Sequence, residues 1–433
     1  MKFNKWTLGL AAVGAVCMAS AVRAEETPTL SPVETALSNT TISGYVSASA
    51  NWQISPSGNN GLGSPAAAIP YQGGKQDTFN LDVVKVSIAK PQDESPWASG
   101  YQIDLMFGPD AVGYNPSTPS NVSGSSASSE MAIKQAYIAL RTPVGNGIDW
   151  KIGVFDTIIG YEVTDAGNNP NYTRSWGYAV EPTEHTGILA TYKISDMFTV
   201  SAGIANTLTA GINNYNSYDS NGKGGWGNSY FGSKTFMGSA TITAPSSCGW
   251  AAGSTFYAGM AYGFGSNGGT VGADQAGNQV NYYAGATLNT PWKPFTVGAA
   301  FDYVQNLYGG DSVITGASHA DVTIFGLYAT IKATEKLSFS ARGEYAEINA
   351  VNVGSDNSIE LTGTMEYDLW ANVISRLEVR YDHVISGTGA GAVGYYTPNA
   401  YGVGGGSQVD SAGTAIPVER SAVGVYANLI YKF

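Results

Sequence analysis

Leu337-Ser338-Phe339-Ser340-Ala341-Arg342-Gly343-Glu344-Tyr345 alternates without a break: apolar, glycine or aromatic residues hold the odd positions, and hydroxylic or charged residues hold the even ones. Successive side chains of an extended strand point to opposite faces, so the run has one greasy face and one ionic face. Ser375-Arg376-Leu377-Glu378-Val379-Arg380-Tyr381-Asp382 repeats the pattern, with Leu377, Val379 and Tyr381 opposite Arg376, Glu378, Arg380 and Asp382. Tyr101, Ile103, Leu105 and Phe107 likewise share a face opposite Gln102 and Asp104. A soluble barrel or sandwich would turn the apolar face inward. A membrane barrel turns it to lipid, and because Arg or Lys on a lipid face costs about 2–4 kcal/mol at midplane, the ionic face must then point to the lumen.

Working outward, the same strand language fills the chain from Thr41 to Phe433. Strands are expected near 41–52, 77–90, 97–107, 130–142, 148–155, 185–193, 197–206, 235–244, 250–262, 280–289, 295–304, 321–332, 336–346, 358–367, 373–384 and 421–433. About sixteen strands of near ten residues each match a tilted strand crossing the hydrocarbon layer. Tight links such as 143–147, Ser195-Asp196 and 333–335 alternate with long loops such as 53–76, 108–129, 156–184, 347–357 and 385–420. Sorting short turns to one rim and long loops to the other is the habit of outer-membrane barrels. The fold class is therefore an all-β, antiparallel up-and-down transmembrane barrel with short periplasmic turns and long extracellular loops. Water is the expected content of so wide a lumen. Tyr45, Tyr137, Tyr192, Tyr262, Tyr303, Tyr328, Tyr381 and Tyr431 fall near strand ends, where an interfacial girdle is expected.

Composition agrees: 12% of residues are charged, 12% are aromatic and 55 are glycine, an odd balance for a soluble protein of this length. After the first residues no apolar run is long enough for a spanning helix, so membrane residence has to come from strands. The segment 1–24, with Lys2 and Lys5 before an apolar stretch and Val22-Arg23-Ala24 at its end, reads as a cleaved export signal. Residues 25–40 follow as a short periplasmic segment, and 41–433 form the barrel. Three of the 21 basic residues, Lys2, Lys5 and Arg23, lie in the signal, so 18 remain against 33 acidic ones, a net charge of −15. Such a charge disfavours nucleic acid as a partner. Cys248 alone of the two cysteines survives cleavage, which removes an internal disulfide and a thiolate zinc site from consideration. The C-terminal run Val425-Tyr426-Ala427-Asn428-Leu429-Ile430-Tyr431-Lys432-Phe433 ends on a terminal phenylalanine, with Tyr431 and Leu429 at every second position before it. It looks like the terminal signature that the barrel-assembly machinery reads.

Four stretches carry a family resemblance: 97–110 (WASGYQIDLMFGPD), 155–163 (FDTIIGYEV), Glu184-His185-Thr186-Gly187 and 376–382 (RLEVRYD). Together they resemble the OmpL-like β-barrel porins. The resemblance runs over nearly all of the mature chain through structural motifs. It implies a passive outer-membrane channel for small hydrophilic solutes, set among outer-membrane lipids, and names no solute.

By analogy with general porins, whose third outer loop narrows the channel, loop 156–184 is the candidate constriction. Its charges are Glu162, Asp165, Arg174, Glu181 and Glu184. Across from them the inward wall is expected to carry Lys151, Arg342, Arg376 and Arg380, with Asp104, Glu344, Glu378 and Asp382, so that a transverse field orders polar solutes. The excess of carboxylates implies a mild preference for cations. A homotrimer is expected on the same analogy.

No cofactor, metal site or catalytic function is expected. His185, His319 and His383 have no ligand spacing, and neither a Gly-x-Ser-x-Gly elbow nor a phosphate-binding loop occurs. Two other readings share every strand argument: a structural or adhesive barrel with a plugged lumen, and an outer-membrane hydrolase that would depend on His185 or His383.

Overall fold

A strand at membrane depth has no water to satisfy its peptide groups, so every edge has to be paired and the sheet has to close on itself. The computed structural model describes residues 39–54, 69–72, 75, 77–114, 131–208, 212, 234–263, 279–307, 320–350, 354–386, 408–409, 415–416 and 421–433. The expected export signal 1–24, residues 25–38 of the expected periplasmic segment, and His319 lie outside them.

The strands are β1 (Thr41–Gln53), β2 (Thr78–Lys90), β3 (Ser99–Phe107), β4 (Met131–Thr142), β5 (Ile148–Asp156), β6 (Glu184–Lys193), β7 (Phe198–Ala205), β8 (Thr235–Thr243), β9 (Thr255–Gly263), β10 (Gln279–Asn289), β11 (Phe295–Gln305), β12 (Ala320–Lys332), β13 (Leu337–Ala350), β14 (Gly354–Trp370), β15 (Val373–Ser386), β16 (Gln408–Val409), β17 (Ala415–Ile416) and β18 (Ser421–Lys432). Sixteen of them close one antiparallel barrel in which each strand pairs with its sequence neighbour, and β18 lies between β15 and β1. The other two, β16 and β17, make a small separate ribbon.

Strand positions agree with the sequence pattern except at two places. β9 begins at Thr255 rather than 250, because Ser246–Ala251 winds into a 3-10 turn and Gly249 and Gly253 take positive φ. The expected long loop 347–357 is instead the tip of a hairpin, with β13 running to Ala350 and β14 resuming at Gly354. The stretch holds Asn349, Asn352, Gly354, Ser355 and Asn357, residue types read as connections between strands. Above the membrane, however, a ladder can continue through polar residues, as it does where Glu347 pairs with Asn357 and Asn349 with Ser355.

Facing follows the alternation. Phe301, Phe325, Leu327, Phe339, Leu361, Leu377 and Val379 are exposed on the outside, whereas Arg342, Glu344, Arg376, Glu378, Arg380 and Asp382 are buried inside. The tyrosine girdle needs correcting. Tyr45, Tyr137 and Tyr328 pack within interior apolar clusters, because they share parity with the inward residues of their strands. At the short-turn rim Trp97, Trp250, Trp292 and Trp370 are exposed, together with Phe198, Tyr431 and Phe433.

The seam between β1 and β18 joins the two ends of the barrel. Gly44 and Phe433 exchange backbone hydrogen bonds of 2.9 and 3.0 Å. A Cβ on Gly44 would stand 2.7 Å from Cζ of Phe433 and 2.2 Å from the Lys85 carbonyl oxygen. The terminal ring therefore covers a glycine, a device that stabilises sheet edges elsewhere.

Two outcomes follow from this facing and this seam. Leu327→Arg, at an outward position, should lower unfolding stability in lipid vesicles by about 2–4 kcal/mol. Ser338→Arg, on the lumen side, should change it by about 0.5 kcal/mol or less; equal costs would reverse the assignment of faces. Gly44→Val should lower the yield of heat-modifiable, fully closed barrel on gels, and an unchanged yield would remove the seam from the account of closure.

Candidate functional site

Three connections at the long-loop rim turn down into the barrel. From the first, Ile69, Gln72 and Lys75 are buried; from the second, the turn Pro109–Tyr114 packs against β2 and β4; from the third comes the stretch 157–183. Residues 169–178 are buried throughout. At this depth protein takes up part of the lumen whose width led to the expectation of water.

An irregular chain inside a barrel meets the same demand as a strand in lipid, since each of its buried N–H and C=O groups needs a partner. The wall supplies partners of both polarities. Glu378 accepts from the backbone N–H groups of Tyr172 (2.6 Å) and Thr173 (2.9 Å). Glu344 accepts from those of Trp176 (2.7 Å) and Gly177 (3.1 Å). The latter two open the short helix Trp176–Val180, capped by the Ser175 side chain, so a wall carboxylate meets the unsatisfied donors at a helix start. In the opposite sense Arg376 donates to the carbonyls of Ala166 (2.8 Å) and Asn169 (2.9 Å), Arg380 to Arg174 (2.7 Å) and Arg342 to Thr173 (2.7 Å).

Most charges of the loop are matched as well. Glu162 pairs with Arg342 at 2.8 Å and Asp165 with Lys85 at 2.7 Å. Arg174 lies over the rings of Tyr71 and Tyr178, 5.5 and 5.6 Å from their centres, and donates to the Thr164 carbonyl at 2.6 Å. Glu184 begins β6 beside Lys134 at 3.7 Å, and Glu181 reaches the wall at Asp302 on β11. Of the second connection, Asp110 is held 2.6 Å from Lys75, yet burial pushes its carboxyl up to about 6. Burial also pushes the Tyr161 hydroxyl up to about 12.

Of the residues expected around the constriction, Glu162, Asp165, Arg174, Glu181, Arg342, Glu344, Arg376, Glu378 and Arg380 meet at the contact between loop and wall. Asp382 joins through Arg380 at 2.9 Å. Asp104 joins through Lys85, which lies 3.0 Å from it and pairs with Asp165 of the loop, and it also accepts from Gln135 (2.8 Å). Lys151 does not join, and sits over the Tyr137 ring at 4.8 Å. Arg342 is 2% exposed and Arg380 and Glu378 are 0% exposed. These groups fasten the loop, and the field expected across open water is spent on its backbone. Sequence reasoning missed Glu360, 3.1 Å from Arg342, although its alternation with Thr362, Thr364 and Glu366 on β14 was there to be read. Asp302 was missed for a better reason: it is a lone carboxylate among Gly298, Ala300 and Val304.

The opposite wall is different in kind. On β6–β12 the inward side chains level with the loop are Leu189, Met237, Tyr257, Tyr283 and Tyr328, and they receive Ile158, Ile159 and Tyr161 from the loop. Tyr161 stacks on Tyr328 with ring centres 4.0 Å apart. Toward the short-turn rim the same strands present Ser201, Ser239, Thr241, Thr255, Thr287, Asn289 and Thr296, all half-exposed.

The two described histidines, His185 and His383, both have hydrogen-bond partners within the barrel. His185 is buried, with its ring nitrogens 3.3 Å from the Thr207 carbonyl oxygen and 3.2 Å from Thr157 Oγ1. Nδ1 of His383 lies 2.8 Å from Ser421 Oγ, which also contacts the Tyr381 hydroxyl at 3.1 Å.

Solved structures share this architecture at low identity. The outer membrane channel DcaP of Acinetobacter baumannii aligns with TM-score 0.54 and 13% identity over 91% of this chain and 97% of its own. An anion-selective porin from Comamonas acidovorans gives 0.54 and 13% over 91% and 99%. OmpT of Vibrio cholerae in its trimer form gives 0.51 and 12% over 91% and 99%. No curated protein sequence matches the chain. The family whose model matches residues 39–404 is described as "Putative beta-barrel porin-2, OmpL-like". With that match spanning most of its length, the chain belongs to the OmpL-like β-barrel porin family of the bacterial outer membrane.

Proposed function

We propose that this porin is a passive diffusion channel for small hydrophilic solutes, with loop 157–183 as its constriction. The observation that carries this is the half-exposed hydroxyl wall of Ser201, Ser239, Thr241, Thr255, Thr287 and Thr296. Side chains that point into a barrel and still meet solvent border a water-filled vestibule. Their hydroxyls can exchange hydrogen bonds with a solute that sheds water. A mild preference for cations belongs to the same proposal, supported by the surplus of acidic over basic residues. So does assembly as a homotrimer, for which OmpT in its trimer form offers an analogy of fold. We further propose that residues 1–24 are the export signal, that the assembly machinery reads Tyr431 and Phe433, and that the protein has no catalytic role. In support of the last, His185 is sealed from solvent, and the described residues set no carboxylate against the second ring nitrogen of His383.

The fully buried run 169–178 favours a second reading, a structural barrel whose plug never leaves. Purified protein in planar bilayers separates the two. Stepwise conductance with a reversal potential of cationic sign is expected in a salt gradient, and persistent silence at high protein input would favour the plug.

Arg342→Ala should loosen the constriction. It leaves Glu162 and Glu344 without a guanidinium and Glu360 with Arg380 alone at 3.8 Å, and breaking a buried ion pair on one side typically costs about 3–5 kcal/mol. Cleavage of loop 157–183 by added protease, with the barrel intact, should rise together with single-channel conductance. Wild-type protease resistance in this variant would remove Arg342 from the fastening.

A further inference from the structure

The third connection is held unevenly. Its first part, 162–177, is fastened to β13–β15 by the guanidinium and carboxylate contacts of Arg342, Glu344, Arg376, Glu378 and Arg380. The limb 178–183, which carries the chain toward β6, is anchored at its ends, where the Tyr178 hydroxyl meets those of Tyr71 (2.6 Å) and Tyr114 (3.1 Å) and the Thr183 carbonyl accepts from the Thr157 N–H (3.2 Å), and has fewer holds between. Asn281 of β10 donates to the Val180 carbonyl at 2.8 Å, Val180 packs with Val304, Val322 and Ile324, and Glu181 meets Asp302 of β11.

The last contact is carboxyl against carboxylate. The two side chains face each other between loop and wall, and two oxygen acids can share a hydrogen bond only if one keeps a proton. No cation relieves them. Neither residue has an ion pair among the described residues, and the charges that act most strongly on Glu181 are Asp302, Glu162 and Glu344, all acidic. Tyr283 of β10 and Tyr161 of the loop are the other titratable groups beside the pair. Arg342, the guanidinium next to Glu344, is committed to Glu162 (2.8 Å) and Glu360 (3.1 Å). The pair also has little room to part in place: a Cβ on Gly160 would stand 2.4 Å from a Glu181 oxygen, and one on Gly177 would stand 2.8 Å from an Asp302 oxygen.

We propose that Glu181 and Asp302 form a proton-dependent latch, which holds limb 178–183 against the β10–β11 wall in acid and releases it when the shared proton is lost. The latch rests on reading this barrel as a channel, because what it regulates is the width left beside the constriction. The sign follows from the chemistry. Burial, then the facing carboxylates, hold the Glu181 carboxyl well above the usual carboxylate range, so its contribution is complete at low pH and disappears as pH rises through that raised value. Above it both groups are ionised at contact distance, and like charges drive the limb from the wall. One proton exchanged per channel lets the ratio of open to closed states rise by up to about tenfold per pH unit.

Single-channel conductance from about pH 5 to about pH 9 tests the latch. Wild-type protein should move from a lower to a higher conductance level as pH rises. Glu181→Gln, which keeps the hydrogen bond and cannot ionise, should stay at the lower level throughout, and Asp302→Asn should do the same. Heat-modifiability on gels checks that each variant is folded. A second readout does not depend on permeation. Val180→Cys in a Cys248→Ser background should react with a polar thiol reagent faster at high pH, beyond the ordinary rise shown by the exposed Cys248 of the wild type. A pH-independent wild type in both readouts, or a Glu181→Gln variant that keeps the wild-type slope, overturns the latch. A channel silent at every pH, in which thiol labelling of the Val180→Cys variant still follows pH and still depends on Asp302, would instead overturn the channel reading and leave the latch standing.

Discussion

An exposed peptide group cannot be left unpaired in hydrocarbon, and in this protein the same demand applies twice. In the wall it forces sixteen strands to close, so that β18 has to find β1 although they lie at opposite ends of the chain. Inside the barrel it falls on loop 157–183, which enters a region with no sheet ladder to join. The solution there is a set of charged side chains that act as surrogate peptide partners. Carboxylates on β13 and β15 take the N–H groups of the loop, and guanidiniums on β13 and β15 take its carbonyls. Burying a charge for this purpose costs solvation, and the wall offsets that cost by setting guanidinium beside carboxylate along the same strands.

This dual demand also explains why the lumen has two unlike halves. Where the loop runs as bare irregular backbone, at 166–177, the wall is ionic. Where it presents side chains, at Ile158, Ile159 and Tyr161, the wall is Leu189, Met237 and Tyr257, which need nothing but apolar contact. A loop that faced ionic wall on both sides would leave charges uncompensated, and one that faced apolar wall on both sides would leave its peptide groups unpaired. The two walls therefore fix both where the loop lies and which way round it sits.

Most of the fold was legible because period-two alternation and lipid are both simple. Leu337 to Tyr345 states its facing residue by residue, and neighbours such as β15 repeat it. The inward assignment of Arg342, Glu344, Arg376, Glu378, Arg380 and Asp382 came from that parity alone. Their work did not, because parity says which way a side chain points and nothing about what will stand in front of it. A row of inward charges reads equally as the border of a water column or as the bed of a folded loop. Tyr45 and Tyr328 show a second limit: residue type suggested an interfacial girdle, yet parity, the stronger constraint, turns them inward. Asn, Gly and Ser misled in the same way at 347–350 and 354–357, where the ladder continues above the lipid.

Asp302 marks the point at which sequence patterning gives out altogether. Nothing in Gly298, Ala300 and Val304 requires a charge between them, and no periodicity singles out Glu181, which lies more than a hundred positions away. Their meeting is a product of closure, since β11 and the end of the loop come together only once the barrel exists. Around them the balance is acidic: Glu162, Glu344 and Glu360 all draw on Arg342, so that guanidinium has nothing left over for a fourth carboxylate. A buried acid without a cation keeps its proton if it can, and a neighbouring acid gives that proton somewhere useful to sit. An acidic surplus that composition displays only as net charge thus becomes, through topology, one specific contact between a loop and its wall.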